Sequence, residues 1–253
     1  MNTAEGFSFL QSQFIVNGKE LVMLSQRLKR IANYLKDPII FADIGSDHAY
    51  LPTYVCQHDK SARAIAGELN KGPYERALQT VQENELDDRI QVRQGDGLEI
   101  IHHNDKVNQV VIAGMGGKLI KKILEEGKQK LEHVSRVVLQ PNVDAPFVRQ
   151  WLHHHQFQIT DEEIIEEDGY IYELIVADKV DKPVELNGKA TLFGPYLLEN
   201  KTDVFYLKWQ SELEKRERLV NQMKQANVRP EEKIKQLRQE IEWIKEALDH
   251  DNS

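Results

Sequence analysis

Short apolar runs alternate with stretches of helical period between residues 39 and 155, and that alternation constrains the fold more than any other feature. The runs are Ile39–Ile44, Ala62–Gly67, Ile90–Gln94, Gln109–Ala113 and Arg136–Gln140. Helix-forming segments lie between them, near Leu51–His58, Gly72–Asn84, Lys118–Glu126 and Ala145–His155. Strands buried on both faces read as unbroken apolar runs, and helices between such strands return the chain for parallel pairing. The expected class is therefore α/β with a parallel sheet. Two more strand segments follow, Gln158–Glu166 and Tyr170–Ala177, joined by Asp168-Gly169, a hairpin dipeptide. The sheet should thus finish with one antiparallel strand, unlike the symmetric dinucleotide-binding sheet.

The flanks differ in character. Residues 1–22 show neither a capping signal nor a sustained period and are set aside as an extension of unknown role. Leu24, Leu28, Ile31 and Leu35 recur at helical spacing behind Ser25, a capping residue, and Asp37-Pro38 stops that helix. The span 23–182 reads as one catalytic domain. After Lys182 a loop with Pro183, Gly188, Gly194 and Pro195 leads to two charged segments. Tyr206, Trp209, Leu213, Arg216, Val220 and Met223 step by three and four, as do Ile234, Leu237, Ile241, Ile244 and Leu248. A connection of Asn227–Arg229, with Pro230 opening the second helix, should fold them back as an antiparallel coiled coil over 183–253. A dimerising coil would use the same seam; a monomer is the expected state.

Composition narrows the setting. No apolar stretch approaches the roughly 20 residues of a membrane span, and no signal peptide is recognisable at the start. One cysteine, Cys56, excludes an intramolecular disulfide and fits a reducing compartment. A cytoplasmic location is the expectation. The net charge of −8 argues mildly against a nucleic-acid partner, but local charge decides such contacts. Met23–Lys36 carries Arg27, Lys29, Arg30 and Lys36 with no acid, and Lys118, Lys121 and Lys122 follow the fourth strand. A solvated face is the plain alternative for both.

The carboxyl ends of the strands carry the chemistry. The first ends in Asp43-Ile44-Gly45-Ser46-Asp47-His48, where Gly45 lets backbone approach a ligand. Acids after that glycine would repel a pyrophosphate but suit an ammonium group. The second ends at Gly67-Glu68, one βαβ step later, where a carboxylate can accept from a ribose diol. The third ends in Gln94-Gly95-Asp96-Gly97, with an acid able to meet an adenine amino group. Taken singly, these are ordinary turns or surface acids; three in succession describe a nucleoside pocket with an amino-acid end. The fourth ends in Ala113-Gly114-Met115-Gly116-Gly117, bare backbone beside a methionine that can pack on a base, and the fifth in Gln140-Pro141-Asn142, whose amides can read a base edge. His153-His154-His155 points in three directions along a helix, so no metal is expected there.

These motifs, from Asp43–Pro52 through Ala64–Glu68, Arg93–Leu98, Ile112–Gly117 and Leu139–Asn142 to Glu166–Gly169 and Gly194-Pro195, closely resemble those of the bacterial tRNA (adenine-N1)-methyltransferases that modify adenine 22, the TrmK family. The resemblance spans about Leu24 to His250 and implies a class I methyltransferase Rossmann-like sheet with a C-terminal coiled coil that helps hold tRNA. It implies S-adenosyl-L-methionine at Asp43, Gly45, Ser46, Glu68, Gln94, Asp96, Gly97, Ala113 and Gly114. The target adenine would then lie by Gly114, Met115, Gln140 and Asn142, with Asp47 and His48 contacting either the methionine group of the cofactor or the adenine amino group. Three other readings compete. An NAD-dependent oxidoreductase lacks the glycine partners of Gly45. A small-molecule methyltransferase would share the pocket without needing the basic helix or the hairpin. A non-catalytic RNA-binding module would keep the surfaces and lose turnover.

Overall fold

The computed structural model describes residues 15–16, 19–20, 22–225 and 230–249. Two short strands, β1 (Ile15–Val16) and β2 (Lys19–Glu20), pair antiparallel within the extension, where the sequence shows no periodic signal. Seven further strands form one sheet: β3 (Ile40–Ile44), β4 (Arg63–Glu68), β5 (Ile90–Gln94), β6 (Gln109–Met115), β7 (Arg136–Pro141), β8 (Phe157–Glu167) and β9 (Tyr170–Lys179). Their order is β5-β4-β3-β6-β7-β9-β8. β3–β4 and β4–β5 pair parallel, whereas β9 runs antiparallel to both β7 and β8. The expected antiparallel strand is thus β9, inserted between β7 and β8. The turn Asp168-Gly169 has φ of 53° and 78°, both left-handed, as the hairpin dipeptide requires.

The chain divides into two compact units, Met1–Val111 with Gln129–His133 and Ile112–Lys128 with Val134–Ser253. In the first, β3, β4 and β5 alternate with α1 (Gln26–Asn33), α2 (Tyr50–His58) and α3 (Lys71–Glu83). Ser25 caps α1 by accepting from Leu28 N–H at 3.2 Å. The helix ends at Asn33, before the Asp37-Pro38 stop that the sequence marks, because its last N–H groups turn back onto Ile31 and Ala32. Apolar residues of β3 and β4, Phe41, Ala42, Ile65 and Ala66, are buried, as the continuous runs predict.

In the second unit, α4 (Gly117–Glu126) and α5 (Ala145–His154) follow β6 and β7. The segment after Lys182 is not the plain loop expected from its prolines and glycines. It holds two short helices, α6 (Gly188–Phe193), capped by the Asn187 side chain, and α7 (Pro195–Glu199), which starts on proline. Leu192, Phe193 and Leu197 are buried there with Phe205, Trp209, Ile244 and Ala247.

The two C-terminal helices are α8 (Asp203–Gln225) and α9 (Glu231–Leu248), and their packing is antiparallel. Phe205 and Trp209 pack with Ile244 and Ala247 near one end, and Val220 packs with Ile234, Leu237 and Ile241 near the other. The seam is therefore filled within one chain. Phe205 takes the buried position that the sequence period gives to Tyr206. The connection Asn227–Arg229 lies outside the described residues.

A buried charge cluster ties these helices to the sheet edge. Arg149 of α5 is fully buried and donates to Glu162 of β8 at 2.7 Å and to Glu173 of β9 at 2.6 Å. Its remaining nitrogen reaches the Leu192 carbonyl at 3.2 Å. Glu162 also accepts from Tyr196 N–H at 3.1 Å, and Glu173 pairs with Lys208 of α8. Gly194 has φ of 95°, and a Cβ there would land against the Glu162 carboxylate and the Arg149 guanidinium. Only glycine satisfies both constraints.

Candidate active site

In the first unit the parallel register sets the acid-bearing strand ends side by side. Ile44 faces Gly67 across β3–β4, and Glu68 faces Gln94 across β4–β5. Asp43 is 4% exposed, and Ser46 Oγ donates to its Oδ2 at 2.6 Å. Burial pushes the Asp43 carboxyl up to about 7; the Ser46 hydrogen bond opposes the shift, and the nearby Glu68 and Asp47 charges add to it. Burial likewise holds Glu68 above the usual carboxylate range, against the hydrogen bond from Asp47.

The chain leaves β3 through Gly45, whose N–H donates to Gly67 O at 2.9 Å. It then enters an uncommon turn. Asp47, His48 and Ala49 have φ of 44°, 69° and 57°, three consecutive non-glycine residues in the left-handed region. Each such residue costs on the order of 1–2 kcal/mol. The turn is anchored by Glu68 Oε1, which accepts the Asp47 N–H at 2.6 Å. It leaves the Asp47 side chain in solvent and half-buries His48. The His48 ring stacks on Tyr50 at 5.3 Å, with its Nδ1 3.4 Å from the Tyr50 hydroxyl and Nε2 3.5 Å from Arg76. Neither Tyr50 nor Arg76 is among the site residues that the sequence marks, and Arg76 has no local sequence signal, since α3 delivers it from 28 residues away.

Gln94, Asp96 and Gly97 follow at the end of β5. Gln94 and Asp96 are exposed, and Gln94 donates to the Leu69 carbonyl at 3.2 Å. Gly67 and Gly95 face Ile100, where an added Cβ would lie 2.9 and 2.8 Å from its side chain. Those two glycines are required by Ile100 packing, a role that strand-end reasoning does not supply.

In the second unit, Ala113, Gly114 and Met115 end β6, and a closed ring of hydrogen bonds holds them. Gly114 N–H donates to Gln140 Oε1 at 3.0 Å, Gln140 Nε2 donates to Asn142 Oδ1 at 2.9 Å, and Asn142 Nδ2 donates back to Gly114 O at 2.8 Å. Asn142 N–H also reaches Met115 O at 2.8 Å. Gly114 sits at φ 76°, which the ring fixes. Gln140, expected to read a base edge, is wholly buried, with both ends of its amide engaged in this ring and its Oε1 on Gly114 N–H. Asn142 is exposed, and Met115 is half-buried.

Lys118, Lys121 and Lys122 are exposed on α4. Lys118 and Lys121 flank the Phe147 ring at 5.2 and 5.8 Å, Lys118 lies 3.5 Å from Asp144, and Lys122 pairs with Glu126. Arg27 and Lys29 on α1 are half-buried, and Arg30 is exposed. Arg27 is close enough to Asp43 to oppose its shift. His155 stacks on Trp151 at 4.1 Å and lies 3.1 Å from Glu125. Among the described residues, no cluster of three His, Cys, Asp or Glu is placed to hold a metal.

Residues 41–246 match the model of the tRNA (adenine(22)-N(1))-methyltransferase family, TrmK. The chain belongs to that family. It is 42% identical over 233 residues to the tRNA (adenine(22)-N(1))-methyltransferase of Bacillus subtilis, covering 90% of this chain and 98% of that one. The crystal structure of the B. subtilis M1A22 tRNA methyltransferase TrmK superposes with a TM-score of 0.83 at 41% identity, covering 90% of this chain and all of the other. A Streptococcus pneumoniae structure in complex with S-adenosyl-L-methionine gives 0.79 at 40% identity, over 89% and 100% of the two chains. The TrmK match accords with the motifs from Asp43 to Asn142 and with the mostly parallel sheet.

Proposed function

We propose that this chain transfers a methyl group from S-adenosyl-L-methionine to N1 of adenine 22 in tRNA. The observation that carries the reading is the carboxylate group of the first unit. Burial raises the proton affinity of Asp43 and of Glu68; the Glu68 and Asp47 charges add to it at Asp43, and the Asp47 charge adds to it at Glu68. Such a group fits a cationic ligand, whose charge would return the buried acid to its ionised form. A pyrophosphate-bearing dinucleotide would oppose it, which disfavours the oxidoreductase reading.

S-Adenosyl-L-methionine supplies a methyl on a positively charged sulfur when bound. Asp43, Gly45 and Ser46 would hold its amino-acid end, Glu68 its ribose diol, and Gln94, Asp96 and Gly97 its adenine, with Ala113 and Gly114 presenting backbone. Adenine N1 has a free lone pair at neutral pH, so no side chain must first remove a proton. The residues act by alignment, which can account for several kcal/mol of a barrier. Met115 and Asn142 would pack against and hold the base, with Gly114 kept in place by Gln140. Asp47 and His48 would steer the cofactor's amino group or the adenine amino group. The target base must leave the folded tRNA to be reached. Arg27, Lys29, Arg30, Lys118, Lys121 and Lys122 would take phosphates.

Residues 23–182 are read as the methyltransferase domain and 183–253 as linker and hairpin, acting as a monomer without a metal in the cytoplasm. No helix among the described residues is long and apolar enough to cross a membrane. The test is methyl transfer to an unmodified tRNA transcript, with the product nucleoside identified by mass. One 1-methyladenosine per transcript, absent when adenine 22 is replaced by guanine, is expected. Methylation that ignores this replacement, or no transfer, contradicts the proposal. Turnover also separates it from a non-catalytic RNA-binding module, and dependence on tRNA from a small-molecule enzyme.

A further inference from the structure

Three glycines surround Met115 at the end of β6, and the fold accounts for two of them. Gly114 sits at φ 76°, where other residues are strained. Gly117 N–H donates to Val143 O at 2.8 Å, which draws the two backbones so close that a Cβ on Gly117 would lie 2.2 Å from the Asp144 carbonyl oxygen. Gly116 has neither reason. Its φ of −69° and ψ of 144° suit any residue. It is the N-cap of α4, where Ser or Asp would serve at least as well. Among the described residues outside its chain neighbours, a Cβ there would meet only Val143 Cγ2, at an ordinary 3.7 Å. The fold would thus tolerate a side chain at Gly116, and the space beside it opens outward.

Val143 borders that space. It is 63% exposed, whereas Val137, Val138 and Leu139 of β7 are fully buried. Its backbone is nonetheless fixed on both sides. Asn142 N–H bonds Met115 O, Gly117 N–H bonds Val143 O, and Asp144 turns into α5 at φ 62°. Valine is branched at Cβ and stiff at χ1, so its isopropyl group has little freedom left to lose on contact. Bare backbone on one side and a rigid apolar group on the other form a slot for a flat ligand with apolar faces. A nucleobase taken from its stack is such a ligand, because it needs a new apolar surface.

We propose that Gly116 and Val143 complete the target-base site: the extracted adenine lies on the bare backbone at Gly116, with the Val143 isopropyl group against its face. The inference rests on the proposed methylation of tRNA and adds two residues to it. In the full chain, Gly116→Ala fills the slot, Val143→Ser removes its apolar face and Val143→Ile keeps that face. Val143→Ser should lower turnover on tRNA about tenfold, the effect of withdrawing roughly one valine side chain from contact, while Val143→Ile stays within about twofold of wild type. Gly116→Ala should lower it about 100-fold, because the base is displaced by on the order of 1 Å. Affinity for tRNA, carried mostly by phosphates, should change less than about threefold in all three, as should the Kd for S-adenosylhomocysteine. Thermal midpoints should stay within about 2 °C of wild type, since Val143 is exposed and Gly116 unhindered. With 2-aminopurine in place of the target adenine, the fluorescence gain that reports an unstacked base should shrink in Gly116→Ala and Val143→Ser. Wild-type turnover in either of these variants, alongside a wild-type protein that methylates tRNA, overturns the slot and leaves the substrate intact. An equal loss from Val143→Ile, a loss of cofactor affinity as large as that of turnover, or a lowered midpoint in Gly116→Ala also overturns it. A wild-type protein that transfers no methyl group to tRNA refutes the substrate and the slot together.

Discussion

Glu68 Oε1 accepts the backbone N–H of Asp47 at 2.6 Å, so the acid closing β4 anchors the left-handed turn that follows β3. One carboxylate thus joins two adjacent strand ends and leaves its second oxygen for a ligand. Glu68→Ala removes both functions, and cofactor affinity should fall at least 30-fold. Glu68→Gln keeps an acceptor for Asp47 N–H and should lose less than tenfold. Calorimetric titration with S-adenosylhomocysteine measures both; equal losses would mean that the anchor is irrelevant.

Asp43 makes cofactor binding pH-dependent. Its carboxyl stands at about 7 in the folded chain against 3.8 when free, so folding favours the protonated form. Its stabilising contribution is full below 3.8 and is lost as pH rises through 7. A cationic cofactor favours the ionised form, so affinity should weaken from pH 8 to pH 6. Asp43→Asn should raise the thermal midpoint at pH 8 by several degrees, the shift being worth on the order of 4 kcal/mol at most. The same variant should bind cofactor weakly and without that pH dependence. A wild-type affinity that is flat between pH 6 and 8 contradicts the assignment.

Gln140 acts through Gly114. Gln140→Ala breaks the hydrogen-bonded ring and frees a glycine at φ 76°. Displacement of the bare backbone by about 1 Å can cost on the order of 100-fold in rate. Turnover at saturating substrate should therefore drop by one to two orders of magnitude, a larger loss than the one in cofactor affinity that displacing the Gly114 backbone also brings. A larger loss in cofactor affinity than in turnover would place Gln140 in the cofactor pocket instead.

Arg149 is a stability determinant. Arg149→Met leaves the carboxylates of Glu162 and Glu173 buried without their shared guanidinium. Breaking such a group costs about 3–5 kcal/mol, which for a chain of this size lowers the thermal midpoint by roughly 6–20 °C. Lys208→Met removes a partner that is itself partly exposed and should cost less. A midpoint within 2 °C of wild type for Arg149→Met contradicts the role.

What the sequence made legible follows from which interactions are local. Apolar runs such as Ala62–Gly67 are buried wherever the sheet forms, so their strands and the acids at their ends could be read directly. The Asp168-Gly169 turn was equally legible because its backbone dictates its residues. Arg149, by contrast, sits in Val148-Arg149-Gln150 with nothing to mark it; its burial is decided by acids on β8 and β9 and by the Leu192 carbonyl. The bond from Gly114 N–H to Gln140 was equally hidden, because the two residues are 26 apart in sequence. The helices α6 and α7 were hidden for the same reason: six and five residues long, they depend on the cluster around Phe193 and Trp209. Their capping signals, Asn187 and Pro195, were present in the sequence.

A crystal structure with S-adenosylhomocysteine bound tests the account most directly. The ribose hydroxyls should lie within hydrogen-bonding distance of Glu68, the adenine beside Asp96 and the amino-acid end beside Asp43 and Gly45. A ligand lodged away from the carboxyl ends of β3, β4 and β5, or no ligand there at saturating concentration, would contradict it.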